Sequence, residues 1–243
     1  MSIRLVGFDA DDTLWRSQDY FDEAQAAYEA IMGEYLDLQR QEVQAHLLQI
    51  ERQNVGLYGY GAKGMTLSML QAAVEITQDR ISARDIHRIL ELGRGLLTHP
   101  VELLDGIEDA VRELGTRHDL VLITKGDLFH QEAKVRQATL TPQFQRIEIV
   151  SEKDTSTYSR LLREFEVEPS EFLMIGNSLK SDILPVVELG GWGVHVPYHS
   201  TWALEHAEAP RGESANRLRV VSDASGLVAA VDALVELAQA ATS

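Results

Sequence analysis

The stretch VGFDADDTLW, residues 6–15, places three aspartates within four positions directly after a run of apolar residues. Residues 3–9 are β-rich and almost continuously apolar up to the first aspartate, which predicts a strand buried on both faces of a parallel sheet. Two like unit charges about 4 Å apart repel by roughly 4 kcal/mol at an effective dielectric of 20. The crowded carboxylates at the end of this strand therefore indicate a site for a divalent cation.

The composition is that of an ordinary globular protein of 243 residues, with 44% hydrophobic and 25% charged side chains. This length suits one large domain or a core with a smaller module. The sequence has no cysteine, which excludes disulfides, thiolate zinc sites and cysteine nucleophiles. No apolar run approaches the roughly 18 residues that a membrane helix needs, and a secretory h-region is lacking, so we expect a cytoplasmic protein.

The charge is strongly acidic, with 22 basic and 38 acidic residues and a formal net charge of -16. Such a charge repels nucleic acid backbones and anionic membranes at long range, so we expect neither as a partner. An anionic substrate must then be attracted by a local positive centre such as a metal ion. The oligomeric state is left open by the sequence.

Five further segments predict strands of the same kind, at residues 120–125, 146–151, 172–177, 192–196 and 218–223. Amphipathic stretches separate them, with apolar residues three and four positions apart, and this spacing places the apolar side chains on one face of a helix. An alternation of strands and helices argues for a parallel sheet flanked by helices. The predicted fold class is therefore α/β.

The segment of residues 17–98 interrupts this alternation. It predicts helices around residues 20–31, 39–53, 65–77 and 83–97, without a convincing strand between them. Ser82 followed three residues later by Asp85 is a start signal for the last of these helices. We therefore expect a helical domain of residues 17–98, inserted into an α/β domain of residues 1–16 and 99–243.

Ligands of parallel α/β sheets bind at the carboxyl ends of the strands, and polar residues follow four of the predicted strands. These residues are Asp9, Asp11, Asp12 and Thr13 after the first; Thr124, Lys125, Gly126 and Asp127 after the second; Lys153 after the third; and Gly176, Asn177, Ser178, Ser181 and Asp182 after the fourth. We expect them to gather at one edge of the sheet, although they are far apart in the chain.

The order of these residues resembles the four motifs of the haloacid dehalogenase-like (HAD) hydrolase superfamily, most of whose members are magnesium-dependent phosphatases. The matching residues are Asp9, Asp11 and Thr13 for the motif D-x-D-x-T, Thr124 for the second motif, Lys153 for the third, and IGNSLKSD, residues 175–182, for the fourth. The resemblance covers essentially the whole chain, because residues 17–98 resemble the helical, C1-type cap that one subgroup carries after the first motif. It implies a Rossmann-like parallel sheet with an inserted all-helical cap.

The resemblance further implies a phosphatase that hydrolyses a small phosphorylated metabolite, such as a sugar phosphate or a nucleotide. Asp9 would attack the phosphorus and form an aspartyl-phosphate. Asp11 would protonate the leaving oxygen and then take a proton from the attacking water. Thr124 would hold phosphoryl oxygens, and Lys153 would balance the negative charge on Asp9 and the phosphoryl group.

A phosphate-binding set and a metal site follow from the same resemblance. The implied phosphate- and substrate-binding residues are Thr124, Lys125, Gly126 and Lys153. Mg²⁺ prefers oxygen ligands and few protein carboxylates, and it would be held by the side chain of Asp9, the backbone carbonyl of Asp11, and Asp182. Asn177 stands where the family usually has an aspartate, so it offers a neutral oxygen donor and leaves open how it shares the metal with Asp182.

Three alternatives stand beside this interpretation. A dehalogenase of the same superfamily would lack the second motif aspartate and need no metal, so Asp11 together with Asp182 speaks against it. A phosphomutase is harder to exclude, because it can share the site. A third alternative is a non-catalytic α/β binding protein that keeps the fold, and the motif residues retained together argue against it: Asp9, Asp11, Thr124 and Lys153.

Some other patterns do not predict a site. GYGAKG, residues 59–64, matches G-x-G-x-x-G but follows a helical pattern instead of a strand, so it predicts a turn. His195 and His199 are four residues apart, but the intervening proline and the strand-like context prevent a helical ligand pair. Asp12 and Asp127 are expected to be structural or to face solvent.

Overall fold

The computed structural model describes residues 2–36 and 40–240, and the chain divides into two compact units. The first, called the α/β unit below, contains the residues up to Arg16, Val101–Lys125, and the chain from Gln131 onward. The second, called the helical unit, contains Ser17–Pro100 and Gly126–His130. The short segment after the second strand is thus grouped with the helices of the insert.

All six predicted strands are present and form one parallel sheet in the order β3-β2-β1-β4-β5-β6. The strands are β1 Leu5–Phe8, β2 Asp119–Lys125, β3 Arg146–Val150, β4 Phe172–Gly176, β5 Trp192–His195 and β6 Leu218–Val220. The helices within the described residues are α1 Gln18–Met32, α2 Arg40–Tyr58, α3 Ala62–Ile76, α4 Ala83–Thr98, α5 Ile107–Gly115, α6 Leu128–Gln137, α7 Thr155–Glu164, α8 Leu184–Glu188 and α9 Leu227–Ala240. The predicted Rossmann-like α/β fold class is confirmed.

Strand β1 lies inside the sheet, paired with β2 on one side and with β4 on the other. Phe8 is in register with Leu122 of β2 and with Ile175 of β4. The Asp9 N–H donates to the Ile175 carbonyl at 2.8 Å, which continues the pairing one residue beyond the strand. Residues that follow β1, β2 and β4 therefore emerge side by side at one edge.

Both faces of the sheet are buried, which explains why its strands are continuously apolar. In β1, Val6 and Phe8 belong to a hydrophobic cluster with residues of α5 and α9, whereas Leu5 belongs to a second cluster with residues of α7. The predicted apolar face of α7 supplies Tyr158 and Leu161 to this second cluster. Alternate side chains along each strand thus pack into two different hydrophobic clusters, one on each face of the sheet.

The helical unit has its own core, which includes Tyr28, Met32, Leu47, Met69 and Ile89. The four predicted helices are present, but of the turn predicted at residues 59–64 only residues 59–61 lie between α2 and α3, because α3 begins at Ala62, three residues before its predicted start. Helix α2 continues five residues beyond its predicted end at residue 53, and residue 39, its predicted start, lies outside the described residues. The extension was missed because the last turn of α2 is exposed and shows no apolar periodicity.

The start of α4 is fixed by the predicted signal. Ser82 is the N-cap, and its Oγ accepts a hydrogen bond from the Asp85 N–H at 3.1 Å. Hydrogen bonds from the side chains of Tyr35, Ser82 and Arg88 lower the pKa of Asp85 to about 2. The cap therefore ties α4 to the loop after α1 through an ionised carboxylate.

Helices α3 and α4 approach each other closely where Gly93 faces Thr66. A Cβ on Gly93 would overlap the side chain of Thr66, so a larger residue would push the helices apart. Within the described part of the chain, no helix is both long enough and apolar enough to cross a membrane.

Candidate active site

The site begins with the tight turn that follows β1. The Leu14 N–H donates to the Ala10 carbonyl at 2.8 Å, and the Asp12 N–H donates to the Trp15 carbonyl at 2.7 Å. Asp12 has a φ of 62°, a left-handed conformation that aspartate adopts more readily than most residues. This turn directs the neighbouring aspartates towards different partners.

Asp9 is buried, and the Lys153 side chain connects it to Asp182; both partners come from distant parts of the chain. The Lys153 ammonium donates to Asp9 Oδ1, across 144 positions of sequence, and to Asp182 Oδ1 at 2.7 Å. Lys153 and Asp182 are themselves buried, at 4% and 1% exposure. The structure therefore brings these three side chains together at the strand ends, where the sequence predicts them.

Thr13 links Asp9 to Asn177. Its Oγ1 lies 3.1 Å from Asp9 Oδ2 and 3.4 Å from Asn177 Oδ1, and it accepts a hydrogen bond from the Asn177 N–H at 3.0 Å. Oxygens of Asp9 and Asn177 thus flank one hydroxyl group. Thr13 thus holds the residue after β1 and the residue after β4 in place through one hydroxyl.

Asp182 is presented by the segment that follows β4. The Ser178 N–H donates to Asp182 Oδ2 at 2.9 Å, within a single π-helical turn formed by Leu179–Ile183. A Cβ on Gly176 would overlap the Asp182 carboxylate, so glycine is required at the end of β4. The carboxylate therefore packs directly onto the strand end.

Asp11 has a separate set of donors. Lys134 Nζ contacts both of its carboxylate oxygens, at 2.6 and 2.7 Å. Trp15 Nε1 donates to Oδ1 at 2.7 Å, and Gln131 Nε2 donates to Oδ2 at 3.0 Å. Asp11 is therefore held as a fully hydrogen-bonded carboxylate, away from the Lys153 ammonium.

The predicted phosphate-binding residues follow β2. Thr124 is buried, and its Oγ1 accepts a hydrogen bond from Gln131 Nε2 at 2.9 Å. Lys125 Nζ donates to Ser181 Oγ at 2.9 Å and to Glu205 Oε1 at 2.8 Å. Gly126 comes next, with a φ of 149°.

Other residues considered from the sequence have structural contacts. Asp127 accepts a hydrogen bond from the His130 N–H at 3.0 Å and pairs with Lys63 at 2.9 Å, so it stabilises the start of α6. His195 Nε2 lies 2.9 Å from the Asn177 carbonyl oxygen, whereas the His199 ring packs at a tilt against Tyr198. The two histidines have different partners.

Sequence reasoning missed Gln131, Lys134 and Glu205. Gln131 and Lys134 are three positions apart on α6, and residues at this spacing share a helix face. Both are buried, at 3% and 7% exposure, on the helix that follows the second motif. Two polar residues on the inner face of that helix are the signal that could have identified them.

The electrostatics differ sharply between the two motif aspartates. Burial raises the pKa of Asp9 to about 7; the Lys153 ammonium opposes this shift, and the charges of Asp182 and Asp11 add to it. Burial also favours a raised pKa for Asp11, but Lys134 and the hydrogen bonds around it outweigh burial and lower the pKa. Asp9 therefore carries poorly compensated negative charge, whereas Asp11 is stabilised as an anion.

Lys153 remains charged despite its burial. Burial disfavours the ammonium, but the charges of Asp182 and Asp9 outweigh it and raise the pKa above its ordinary value. One ammonium between two carboxylates leaves one net negative charge at this point. A cation placed beside Asp9 would relieve it.

The donor set at this edge fits Mg²⁺. It consists of oxygens only, from Asp9, Asn177, Asp182 and the main chain, and Mg²⁺ takes oxygen ligands with few carboxylates. No cluster of three or more histidine, cysteine, aspartate or glutamate side chains suited to a metal occurs among the described residues. The side chain of Asp11 is occupied by Lys134, so two carboxylates and one amide are what the site offers.

Comparison with known proteins decides the family. A family model described as haloacid dehalogenase-like hydrolase matches residues 3–190. The chain belongs to this family. A haloacid dehalogenase-like family hydrolase from Xanthomonas campestris is 52% identical and has a TM-score of 0.87, with 98% of this chain and 94% of that chain covered. The resemblance inferred from the four motifs is thereby confirmed.

Two more distant HAD structures share the fold. The HAD-hydrolase YfnB from Bacillus subtilis, bound to magnesium, is 20% identical over 81% of this chain and 89% of that chain, with a TM-score of 0.59. The 2-haloacid dehalogenase from Pseudomonas syringae pv. Tomato DC3000 is 19% identical over 95% and 99%, with a TM-score of 0.58. None of the curated proteins compared with the sequence matches it.

Proposed function

We propose that this HAD hydrolase is a Mg²⁺-dependent phosphatase that hydrolyses a small phosphorylated metabolite through an aspartyl-phosphate on Asp9. The observation that carries the proposal is the pair of carboxylates after β1. Asp9 is bound by Lys153, whereas Asp11 is bound by Gln131, which also holds Thr124. The two carboxylates have different partners, which suits different roles; Asp9 is assigned as the nucleophile and Asp11 as the acid/base group from their places in the family motif, and a cation beside Asp9 would lower its raised pKa so that it can attack as an anion.

In the first step Asp9 attacks the phosphorus in line, and the bond between the phosphorus and the leaving oxygen breaks. Asp11 gives its proton to that oxygen. In the second step a water attacks the aspartyl-phosphate, Asp11 takes the proton, and inorganic phosphate leaves with Asp9 regenerated. Bound Mg²⁺ supplies charge neutralisation and orientation to the phosphoryl group.

The ionised state of Asp11 in the structure suits the second step, in which it accepts a proton. The first step requires its protonated form, which cannot keep both contacts with the Lys134 ammonium. We therefore expect Asp11 to take up a proton from water, and to exchange Lys134 for the leaving oxygen, when substrate is bound.

Phosphoryl oxygens would be held by the Thr124 hydroxyl, by N–H groups of Lys125 and Gly126, and by the Lys153 ammonium. Preorganised donors of this kind stabilise the charge that develops during phosphoryl transfer. The acidic chain repels anions at long range, so the attraction must come from Lys153 and the cation.

The proposal is tested by the release of p-nitrophenol from p-nitrophenyl phosphate with Mg²⁺ or with EDTA. We expect activity that EDTA abolishes, loss of turnover in Asp9→Asn, and a fall of about 10²–10⁴-fold in Asp11→Asn. Asp109→Asn, at an exposed position on α5, is the matched control and should retain full activity. Equal turnover in a folded Asp9→Asn variant would remove Asp9 as the nucleophile.

Dehalogenation is the second candidate, because Asn177 reduces the number of acidic ligands and Lys134 occupies the Asp11 side chain. Halide release from 2-chloropropionate in the presence of EDTA, combined with inactivity towards a set of phosphate esters, would favour it. The phosphatase predicts the reverse pattern on the same protein preparation.

A further inference from the structure

Glu205 reaches the catalytic edge from a part of the chain that lies beyond residues 3–190, which the family model matches. It ends a short 3-10 turn, Ala203–Glu205, between β5 and β6. Its side chain is 14% exposed and accepts three side-chain hydrogen bonds. The donors are Lys125 Nζ at 2.8 Å, Ser178 Oγ at 2.8 Å and Ser181 Oγ at 2.5 Å.

The sheet topology shows which strand ends these contacts connect. Lys125 ends β2, whereas Ser178 and Ser181 follow β4, and β1 lies between these two strands. The Glu205 carboxylate therefore connects the two strand ends that flank Asp9.

Each partner of Glu205 is one step from a residue of the proposed mechanism. The Ser178 hydroxyl donates a hydrogen bond to Glu205, and the Ser178 N–H donates one to Asp182. Ser181 precedes Asp182 in sequence, and its N–H donates to Ser178 Oγ at 3.0 Å. Displacement of Glu205 would release the turn that presents Asp182.

On the other side, Lys125 follows Thr124 directly. Its carbonyl accepts a hydrogen bond at 3.0 Å from Gln131 Nε2, the same group that binds Asp11 and Thr124. The Lys125 side chain is only 11% exposed, so its ammonium is held against Glu205 in a largely buried ion pair. Removal of one partner from such a pair leaves the other charge poorly compensated.

We propose that Glu205 is a positioning residue that fixes the spacing between the phosphate-binding end of β2 and the metal-binding segment after β4. It acts through Lys125 on Thr124, and through Ser178 and Ser181 on Asp182. This inference rests on the proposed function for its kinetic consequences, but the effect on the metal site can be measured without turnover.

The test compares Glu205→Ala and Glu205→Gln with the control Glu208→Ala. Glu208 lies in the same connection, is 85% exposed and pairs only with the exposed Arg211 among the ion pairs described. Residues that orient a metal ligand without touching the metal typically contribute about 10- to 100-fold to metal affinity or activity. We expect Glu205→Ala to weaken Mg²⁺ binding in isothermal titration calorimetry, and to lower kcat, by factors in that range.

The conservative variant separates positioning from loss of fold. Glu205→Gln keeps an acceptor for the serine hydroxyls and should recover part of the Mg²⁺ affinity and kcat, with little change in KM. A residue that only stabilises the fold would lower the melting temperature and the folded fraction, and leave Mg²⁺ affinity and kcat per folded molecule unchanged. Values within twofold of wild type in folded Glu205→Ala would overturn the proposal.

A double-mutant cycle covers the role of Lys125. If Lys125 acts through Glu205, the double variant Lys125→Met, Glu205→Ala should lose no more Mg²⁺ affinity and kcat than the more severe of the two single variants. Additive losses would overturn this route. If Glu205→Ala fails to fold, Ser181→Ala removes the Ser181 hydroxyl contacts with Glu205 and Lys125 and leaves the Ser178 cap in place. It is expected to weaken Mg²⁺ binding, and unchanged Mg²⁺ affinity would overturn the proposal.

These readouts keep the two proposals apart. If the wild type and Glu208→Ala bind Mg²⁺ but hydrolyse no phosphate ester, the proposed function fails. The calorimetric comparison still decides the role of Glu205 in that case.

Discussion

Replacing Asp9 by asparagine should stabilise the metal-free protein, and more so at alkaline than at acidic pH. The reason is the excess negative charge around Lys153, where one ammonium faces the carboxylates of Asp9 and Asp182. Asparagine keeps the shape of the side chain and an oxygen that can accept from Lys153. It leaves one ammonium facing one carboxylate.

The magnitude follows from the pKa of Asp9, which burial and its neighbours raise from 3.8 to about 7. A shift of about 3 units corresponds to about 4 kcal/mol, at 1.36 kcal/mol per unit. This figure already includes the attraction of Lys153, which lowers the pKa, and it is an upper limit because it treats asparagine as equivalent to the protonated acid. We expect a gain of about 1–3 kcal/mol above pH 7.

The pH range over which the effect changes is set by the pKa of Asp9 in the unfolded and folded states, 3.8 and about 7. Above pH 7 Asp9 is ionised in both the folded and the unfolded state, so the cost of burying its charge is fully present. As the pH falls from 7 towards 4, folded Asp9 takes up a proton while the unfolded residue remains ionised, and the cost disappears. The advantage of Asp9→Asn should therefore shrink towards pH 4.

Urea unfolding of wild type, Asp9→Asn and the control Asp109→Asn, in EDTA between pH 5 and pH 8, measures this difference. Using differences between variants at each pH cancels the titration of other groups. A stability difference between Asp9→Asn and wild type that is the same at pH 5 and pH 8 would refute the reasoning. So would a variant less stable than wild type at pH 8.

Four other changes test separate parts of the structure. Gly176→Ala should displace the Asp182 carboxylate and lower Mg²⁺ affinity in calorimetry by at least about tenfold, whereas Gly56→Ala on α2, where a Cβ meets nothing, should raise the urea midpoint slightly. Asp85→Asn should remove a stabilisation that is present above pH 4 and lost towards pH 2, so the acid-unfolding curve of the variant should be flatter over this range. Lys134→Met should lower kcat with Mg²⁺ affinity nearly unchanged, as measured by steady-state kinetics and calorimetry, because its ammonium contacts Asp11, whose carboxylate is the proposed acid and base and is not among the proposed side-chain metal ligands that bind Mg²⁺.

The sheet was predictable because its strands are buried on both faces. Leu5 and Val6 pack into different clusters, so both must be apolar, and the strand becomes a continuous run that the sequence reveals. The exposed end of α2 gave no such signal. Leu57, in its last turn, is 77% exposed although it is apolar, and this breaks the amphipathic pattern from which helix ends are inferred.

The candidate site was predictable to the extent that its residues follow strands. Asp9 and Lys153 come directly or shortly after predicted strands, and parallel strands bring their carboxyl ends to one edge. Lys134 and Glu205 lie on a helix and in an irregular connection, and their partners are 123 and 80 positions away in the sequence. The three-residue spacing of Gln131 and Lys134 places them on one helix face but does not identify Asp11 as their partner, and no local spacing indicates the contacts of Glu205, so only the tertiary structure shows these pairings.

The distribution of charge at this edge indicates where a cation would bind. Lys134 pairs with Asp11, and Lys125 pairs with the largely buried Glu205 at 2.8 Å and, at 4.0 Å, with Glu152, whose side chain is about half exposed and therefore screened by solvent. Lys153 faces two carboxylates, which leaves one negative charge buried beside Asp9. A phosphate ester brought to Asp9 in this state would meet a net anion, and the repulsion in a buried site is far stronger than in water. A divalent cation reverses the sign of the local charge, and this argues that productive substrate binding follows metal binding.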